Sequence, residues 1–308
     1  MVEAQEQQSP RLQPCAGCGA INGARFDRCV RCGAALTGPA RALDRVRAPQ
    51  GEQLVGTKIL LVATSLVFAG QVASALHAGR GLPIFGIDDY VGLLRFGALP
   101  VSQAVVAAEP WRLLSAVFVH FGALHFGMNM LSLANLARIA EPAVGFARFA
   151  LTYVLTGLLG FAVTLGGSML MASASGVPAR VDLTAGASGA IFGVIGLVLG
   201  MLVRRRDPRW KAFLGNIAAS TLMLILIAAQ VRAGLNNWAH GGGFVGGFLL
   251  GILFAGGQQP QRAPSGPSPR RPLDRWLDVA AVASLVACAA SLALCQASPL
   301  WRSLAAAL

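Results

Sequence analysis

The sequence predicts an all-α polytopic membrane protein, because its composition is apolar and its apolar segments are long. Of its 308 residues, 55% are hydrophobic and only 12% are charged, whereas soluble domains carry about 25% charged residues. A helix needs roughly 20 apolar residues to cross the hydrocarbon core of a bilayer. Segments of about that length occur near residues 59–78, 113–137, 149–171, 185–203, 213–231, 237–256 and 278–297. The first six are predicted to form a six-helix core, and the seventh is an addition at the carboxyl end.

Polar and apolar stretches follow one another in an order that predicts the domain organisation. The first forty residues are polar and the first apolar segment comes late, so no cleavable signal peptide is expected. A stretch rich in Pro, Ser and Arg separates the sixth apolar segment from the seventh. The predicted units are a disordered tail (1–12), a cysteine-containing module (13–37), a basic linker (38–57), the six-span core (58–256), a cytoplasmic linker (257–276), a seventh transmembrane helix (277–298) and a tail (299–308).

The formal net charge of +12 comes largely from Lys and Arg in the stretches between apolar segments. Cytoplasmic loops of membrane proteins carry an excess of these residues. The excess falls on one side when the amino terminus is placed inside, as the runs 204–206 and 270–271 illustrate. Seven spans then place the carboxyl terminus outside. Because membrane topology accounts for the basic residues, we expect no nucleic-acid partner.

Four cysteines form two closely spaced pairs near the amino terminus: Cys15 with Cys18, and Cys29 with Cys32, each pair followed by glycine. Two such pairs suit a tetrahedral zinc site. The predicted topology places them in the reducing cytoplasm, where metal binding is favoured over disulfides. Two disulfides or four unrelated thiols are the alternatives. The segment resembles a zinc ribbon, in which one structural Zn²⁺ would hold the fold and an unknown cytoplasmic partner would bind.

The stretch between the first two apolar segments, residues 79–112, is long for a connection without structure or function. It is partly apolar and ends in Trp111 and Arg112. Trp is enriched at the membrane–water interface. We therefore expect this loop to pack at the outer interface of the bilayer with Trp111 as an anchor, the alternative being an ordinary amphipathic surface loop.

A serine between glycines stands where the fourth apolar segment begins, in Gly186-Ala187-Ser188-Gly189. His240 lies a few residues into the sixth segment. Both segments run from outside to inside in the predicted topology, so Ser188 and His240 lie at similar depth. A histidine beside a serine can accept its proton and make the oxygen nucleophilic. Glycines four apart in both segments would let the helices approach closely, although glycine-driven packing with an incidental serine gives the same pattern.

Asp182 lies in the loop before the serine, and no aspartate is placed to orient His240. The sequence therefore predicts a Ser–His dyad rather than a triad. In the second segment, His125 and Asn129 are four residues apart and share one helix face. Both side chains can donate hydrogen bonds to a developing oxyanion, or they form a polar pair that bonds to a neighbouring helix. A metal site using His120, His125 and His240 is ranked lower, because the chain has no carboxylate at that depth.

Together these residues resemble the rhomboid family of intramembrane serine proteases, over about residues 58–256. The resemblance is carried by one set of motif residues: Trp111, Arg112, His120, His125, Asn129, Gly186, Ser188, Gly189, Ala239, His240, Gly243 and Gly247. It implies that Ser188 is the nucleophile and His240 the base, with an oxyanion site from His125, Asn129 and the Ser188 backbone. Glu141 stands where rhomboids often place a glutamate that pins helix ends. Phe192 replaces a tyrosine that rhomboids often pack against the catalytic histidine.

The resemblance also implies what the protein acts on and where. Its substrates would be membrane-spanning helices cut near their outer ends, and the protein would lie in the bacterial inner membrane.

The second helix is expected to begin near Gly122 after a looser stretch at 112–121, since His125 would otherwise lie too deep to meet Ser188. Two other classes remain: a catalytically silent rhomboid-like protein that binds membrane helices with the zinc ribbon as adaptor, and a zinc-handling transporter.

Overall fold

A computed structural model describes residues 12–15, 20–23, 26–31, 33, 36, 54–82, 84, 86, 89–175, 183–230, 235–255 and 272–307. These residues belong to two compact units, a small amino-terminal one and a larger helical one. Cys18, Cys32 and most of the predicted linkers at 38–57 and 257–276 lie outside the described residues.

The amino-terminal unit contains an antiparallel pair of short strands, β1 (Leu12–Pro14) and β2 (Ile21–Gly23). The Cys15 amide donates to the Ala20 carbonyl at 2.9 Å and closes the pair. Cys15 and Cys29 are buried together with Leu36. So small a cluster supplies little hydrophobic stabilisation by itself.

The helical unit contains eleven helices among its described residues. They are α1 (Val55–His77), α2 (Tyr90–Phe96), α3 (Gln103–Ala108), α4 (Arg112–Ser115), α5 (Ala123–Val144), α6 (Phe146–Ser175), α7 (Ser188–Arg204), α8 (Arg209–Gln230), α9 (Asn237–Ala255), α10 (Pro272–Ala297) and α11 (Pro299–Ala307). A 3₁₀ turn at Ala116–Phe118 continues α4. Strands β3 (Leu99–Pro100) and β4 (Leu183–Thr184) pair antiparallel and join the first loop to the segment before α7.

Every predicted apolar segment overlaps one of these helices, and the all-α, polytopic prediction is confirmed. Among the described residues, four helical stretches are long and apolar enough to cross a membrane: Val55–His77, Phe146–Ser175, Asn237–Ala255 and Leu273–Ala306. The bent pair Arg112–Phe118 and Ala123–Val144 would make a fifth. α7 is apolar but has only 17 residues. The number of seven spans therefore stays a prediction.

The second apolar segment is a broken helix. Its two parts, Arg112–Phe118 and α5, meet at 91°, and α5 begins at Ala123 directly after Gly122. The expected helix start is confirmed, but the stretch before it is more regular than expected, since α4 and the 3₁₀ turn occupy most of it. The Gln71 side chain bonds to both main-chain polar groups of His120, at 3.0 and 3.2 Å, and holds the connection.

Helices α7 and α9 pack backbone against backbone. A Cβ atom on Gly243 would overlap the Gly189 carbonyl oxygen, and one on Gly247 would overlap the Gly193 carbonyl oxygen. Small residues at such spacing allow this approach in membrane helices. The first residue of α7 and the first turn of α9 are thereby brought side by side.

The first loop is folded and partly buried. Leu93 and Leu94 are buried whereas Leu82 is 69% exposed, and the Arg112 side chain is fully buried. Residues 299–307, predicted as a tail, form helix α11. Pro299 stands at the first helical position, which Pro favours, and the Ser298 hydroxyl accepts the Leu300 amide at 3.1 Å as a side-chain cap. Helices α10 and α11 pack on α2, α4 and α6.

Candidate active site

The structure brings Ser188 and His240 into hydrogen-bonding contact. The distance from His240 Nε2 to Ser188 Oγ is 2.9 Å. Ser188 is the first residue of α7, and His240 lies in the first turn of α9. The close packing of these two helices makes the contact possible, because larger residues at the glycine positions would hold the helices apart.

Asn236 fixes the start of α9, four residues before His240. Its Oδ1 atom accepts the Ala239 amide at 2.9 Å, as a helix cap does. The same oxygen accepts the Thr164 hydroxyl at 3.1 Å, and Nδ2 donates to the Thr184 hydroxyl at 2.8 Å. Asn236 therefore ties α9 both to α6 and to strand β4. Sequence reasoning missed Asn236; its signal is an asparagine directly before an apolar helical pattern.

Phe192 lies one helical turn after Ser188 and stacks on the His240 ring. The ring centroids are 4.5 Å apart and the planes differ by 16°. Residues four apart share a helix face, so one face of α7 carries both the serine that bonds to His240 and the ring that packs against it. The stacking restricts the orientation of the imidazole.

His125 and Asn129 lie against the backbone just before Ser188. Gly186 has φ of +132°, a conformation that favours glycine. A Cβ atom there would lie 2.8 Å from His125 Cε1 and 3.8 Å from Asn129 Nδ2. The Gly186 amide donates to the Ala116 carbonyl at 2.9 Å. The 3₁₀ turn after α4 and helix α5 thus both contact the turn that leads into Ser188.

Asn129 carries a buried donor. The residue is 7% exposed, and its Nδ2 atom has no hydrogen-bond partner among the described residues. Leaving such a donor unpaired is costly, and buried polar atoms are nearly always paired in folded proteins. This donor lies close to the backbone at Gly186, two residues before Ser188, where it is free to bond to an acceptor from outside the described residues.

His120 also contacts the turn before Ser188. It is fully buried, and its ring lies 5.0 Å from that of His125 in an edge-on arrangement. The Ala187 amide donates to His120 Nε2 at 3.5 Å, and Nδ1 lies 3.3 Å from the Phe118 carbonyl oxygen. A proton on Nδ1 satisfies both contacts. No group of three or more potential metal ligands was found in the part of the chain that the structure describes, these histidines included.

The remaining predicted residues make contacts of their own, next to the Ser188–His240 pair or farther from it. Gly189 faces α9, where its carbonyl borders Gly243. Trp111 directly precedes α4, and Arg112 bonds to Glu109 and to two carbonyls of the first loop. The Glu141 carboxylate accepts the amides of Gly56 and Thr57 and the Thr57 hydroxyl, at 2.5–2.9 Å. It thereby holds the first turn of α1.

Comparison with known proteins gives a consistent match. The rhomboid domain model matches residues 107–257. RHOMBOID-like protein 1 of Arabidopsis thaliana is 36% identical over 166 residues, 53% of this chain and 39% of that protein. Rhomboid protease GluP of Bacillus subtilis is 33% identical over 171 residues, 53% of this chain and 30% of that protein.

A shorter relative is covered more fully. Putative rhomboid protease YdcA of Bacillus subtilis is 31% identical over 153 residues, 49% of this chain and 71% of that protein. The match spans between about two fifths and one half of the length of the plant relatives. The matched region contains α4 to α9 and with them Ser188, His240, His125 and Asn129. The chain is a multi-pass membrane protein and belongs to the rhomboid family.

Proposed function

We propose that the protein is an intramembrane serine protease in which Ser188 and His240 form the catalytic dyad. The 2.9 Å contact between Ser188 Oγ and His240 Nε2 carries this proposal. A neutral imidazole at that distance accepts the hydroxyl proton as the oxygen attacks a carbonyl carbon. Phe192 orients the imidazole by stacking, where a triad would use a carboxylate.

The reaction proceeds in two steps of acyl transfer. In the first, the Ser188 oxygen bonds to the scissile carbonyl carbon, and its proton passes to His240. The imidazolium returns this proton to the leaving amine as the peptide bond breaks. In the second, His240 takes a proton from water, the hydroxide bonds to the acyl carbon, and the ester bond to Ser188 breaks as its oxygen is reprotonated.

His125, Asn129 and the Ser188 backbone N–H are proposed to stabilise the oxyanion of each tetrahedral intermediate. Two observations support this role: the unpaired, buried Asn129 amide, and the closeness of both side chains to Gly186. Donors fixed before the reaction begins stabilise developing charge without reorganisation. Gly186 permits this placement, Gly189 permits the approach of α9, and Trp111 with Arg112 supports the first loop.

The substrates are proposed to be membrane proteins cut in or near their transmembrane helices. Rhomboid proteins act on membrane-protein substrates within the bilayer, and two of the matched Bacillus relatives are named as proteases. A membrane helix hides its amides in internal hydrogen bonds. A substrate segment must therefore unwind locally, which favours small or helix-breaking residues near the cut.

The test is cleavage of tagged single-span reporters by the purified protein in proteoliposomes. Wild type is expected to cut at least one reporter of a panel and to react with a fluorophosphonate at Ser188. Ser188→Ala and His240→Ala are expected to do neither. A wild-type protein that neither cuts nor reacts contradicts the proposal; capture of uncut reporter helices would then indicate the silent, helix-binding alternative.

We further propose seven spans in the bacterial inner membrane, with a cytoplasmic amino terminus and an external carboxyl terminus. The proposed units along the chain are a tail (1–12), the cysteine-containing module (13–37), a basic linker (38–57), the six-span core (58–256), a cytoplasmic linker (257–276) and the seventh span (277–298), followed by α11. The distribution of Lys and Arg supports this topology. A reporter fused after residue 308 is expected to be external; a cytoplasmic signal would contradict the seventh span or the orientation.

The four cysteines Cys15, Cys18, Cys29 and Cys32 are proposed to bind one structural Zn²⁺ in a ribbon that binds a cytoplasmic partner. Cys29 Sγ lies 3.6 Å from Asn22 Nδ2 and 3.4 Å from the Arg31 amide, and such N–H donors suit a metal-bound thiolate. About one zinc per chain is expected in freshly purified, reduced protein, and Cys29→Ser should lower it. Absence of zinc would contradict this proposal.

A further inference from the structure

A buried ion pair lies where the first loop ends and α4 begins. Arg112 Nε lies 2.5 Å from Glu109 Oε2, and the two side chains are 0% and 6% exposed. Arg112 also donates to the carbonyls of Leu94 and Ala98, at 2.7 and 3.0 Å. A buried ion pair is stable only when its remaining donors and acceptors are also bonded.

Ser298, at the junction of α10 and α11, bonds to both members of this pair. It is 2% exposed. Its hydroxyl donates to Glu109 Oε1 at 2.5 Å and accepts from Arg112 Nη2 at 3.0 Å. The carboxylate and the guanidinium thereby each gain a hydrogen bond from a residue of the C-terminal helices. The match to the rhomboid domain ends at residue 257, so the helices that carry Ser298 lie beyond it.

Neighbouring residues of the same junction contact the first loop as well. Arg95 Nε donates to Gln296 Oε1 at 2.9 Å, and Gln296 Nε2 donates to the Arg95 carbonyl at 3.0 Å. The Arg95 guanidinium also lies over the Trp301 ring, 5.3 Å from its centroid. Ser298 is thus the buried centre of a larger contact between this junction and α2 and α4.

A short series of contacts connects Ser298 and Arg112 to the candidate active site. Arg112 begins α4, and the 3₁₀ turn that continues α4 begins at Ala116. The Ala116 carbonyl accepts the Gly186 amide at 2.9 Å. Gly186 lies two residues before Ser188 and beside His125. A shift of α4 would therefore move the turn that presents the nucleophile to the proposed oxyanion site.

We propose that Ser298 is a positioning residue for the protease reaction, a role that rests on the proposed function. By completing the hydrogen bonds of Glu109 and Arg112, it holds α4 and, through the Ala116 carbonyl, the turn before Ser188. The C-terminal helix pair is accordingly part of the catalytic unit rather than a separate anchor.

The test compares three full-length variants in proteoliposomes: Ser298→Val, Ser298→Thr and Ser291→Val. Val and Thr differ mainly in the hydroxyl, so Thr retains the donor and acceptor. Ser291 is the matched control, because it lies on α10, is 1% exposed, and donates its hydroxyl to the Cys288 carbonyl of its own helix. Fluorophosphonate titration counts the competent Ser188 sites, so loss of folded protein is separated from a slower reaction.

For Ser298→Val, kcat per titrated site is expected to fall about tenfold with KM unchanged. The reason is that loss of a hydrogen bond to buried charged groups is costly and lowers the population of molecules in which α4 holds the turn before Ser188 in place. Ser298→Thr and Ser291→Val are expected to stay near wild type. Wild-type kcat in Ser298→Val, or an equal loss in Ser291→Val, overturns the proposal.

Hydrogen exchange of the segment 183–190, measured on the same samples, gives a readout that does not depend on catalysis. Exchange is expected to be roughly tenfold faster in Ser298→Val than in Ser298→Thr, because the Gly186 amide loses protection. Unchanged exchange overturns the proposal even if the wild type cleaves no reporter. Failure of the wild type to cleave or to react at Ser188 is the separate result that overturns the proposed function.

Discussion

Phe192 stacks on His240 with ring centroids 4.5 Å apart and planes within 16°, while His240 Nε2 lies 2.9 Å from Ser188 Oγ. The imidazole is therefore fixed on one side by a ring and at one nitrogen by the serine. The contact is made by the faces of the two rings, so it does not need the hydroxyl that a tyrosine at this position would carry. Phe192 can hold His240 in the orientation that the proposed proton transfer requires.

Replacing Phe192 by Leu is expected to lower kcat/KM about two- to tenfold, since aromatic pairs contribute about 0.5–1.5 kcal/mol beyond their buried area. Leu keeps an apolar side chain at this position but removes the ring. Phe192→Tyr keeps the stacking and is expected to stay within about twofold of wild type. The measurement is reporter cleavage per fluorophosphonate-reactive site. A Leu variant as active as wild type would show that the stacking does not orient His240.

Replacing Asn129 by Ala is expected to lower kcat about 100-fold with little change in KM, because removing one oxyanion donor typically costs that much. The reason is the buried Asn129 amide, which has no acceptor among the described residues. Asn129→Asp has a similar shape but lacks the amide donor, and it should be at least as slow. Asn216→Ala, on the exposed side of α8, is the control. A loss confined to KM would contradict the oxyanion role.

The placement of Ser188 and His240 could be predicted because it depends on regular features. The basic loops predict the direction of each apolar segment, and glycines four residues apart predict that α7 and α9 each have a face on which another helix can pack closely. The start of α5 after Gly122 followed from the depth that His125 must reach. These arguments need only the spacing of residues along single helices and the positions of Lys and Arg between them. Both can be read directly from a sequence.

Other parts of the site depend on contacts between distant residues that leave no periodic pattern. Arg112 and Ser298 are 186 residues apart, and Gln71 reaches His120 across 49 residues. Neither Ser298 nor Gln71 stands out in an apolar segment, because each contributes a single polar group that many helices carry. Helix α11 was missed for a related reason: its Pro299 and short length also fit a tail.

Gly186→Ala is expected to lower kcat at least about 100-fold. The new Cβ would lie 2.8 Å from His125 Cε1, and φ of +132° disfavours a side chain, with such strain costing about 1–3 kcal/mol by itself. Reaction with fluorophosphonate should slow as well, because the turn before Ser188 must shift. Gly215→Ala is the control, since a Cβ there meets no atom within 4 Å. Similar activities in the two variants would contradict the close approach of His125 to Gly186.

Glu141→Ala is expected to lower the free energy of unfolding by roughly 3 kcal/mol, because hydrogen bonds to a charged group contribute about 1.5–3 kcal/mol. The carboxylate accepts the Gly56 amide at 2.8 Å, the Thr57 amide at 2.9 Å and the Thr57 hydroxyl at 2.5 Å. A negative charge at a helix N-terminus is also favourable. Thr57→Ala removes only the hydroxyl bond and should cost less, about 1.5 kcal/mol, the lower end of that range. Thermal unfolding in detergent, followed by tryptophan fluorescence, measures both variants. Equal and small shifts in Tm would contradict the role of Glu141 at the start of α1.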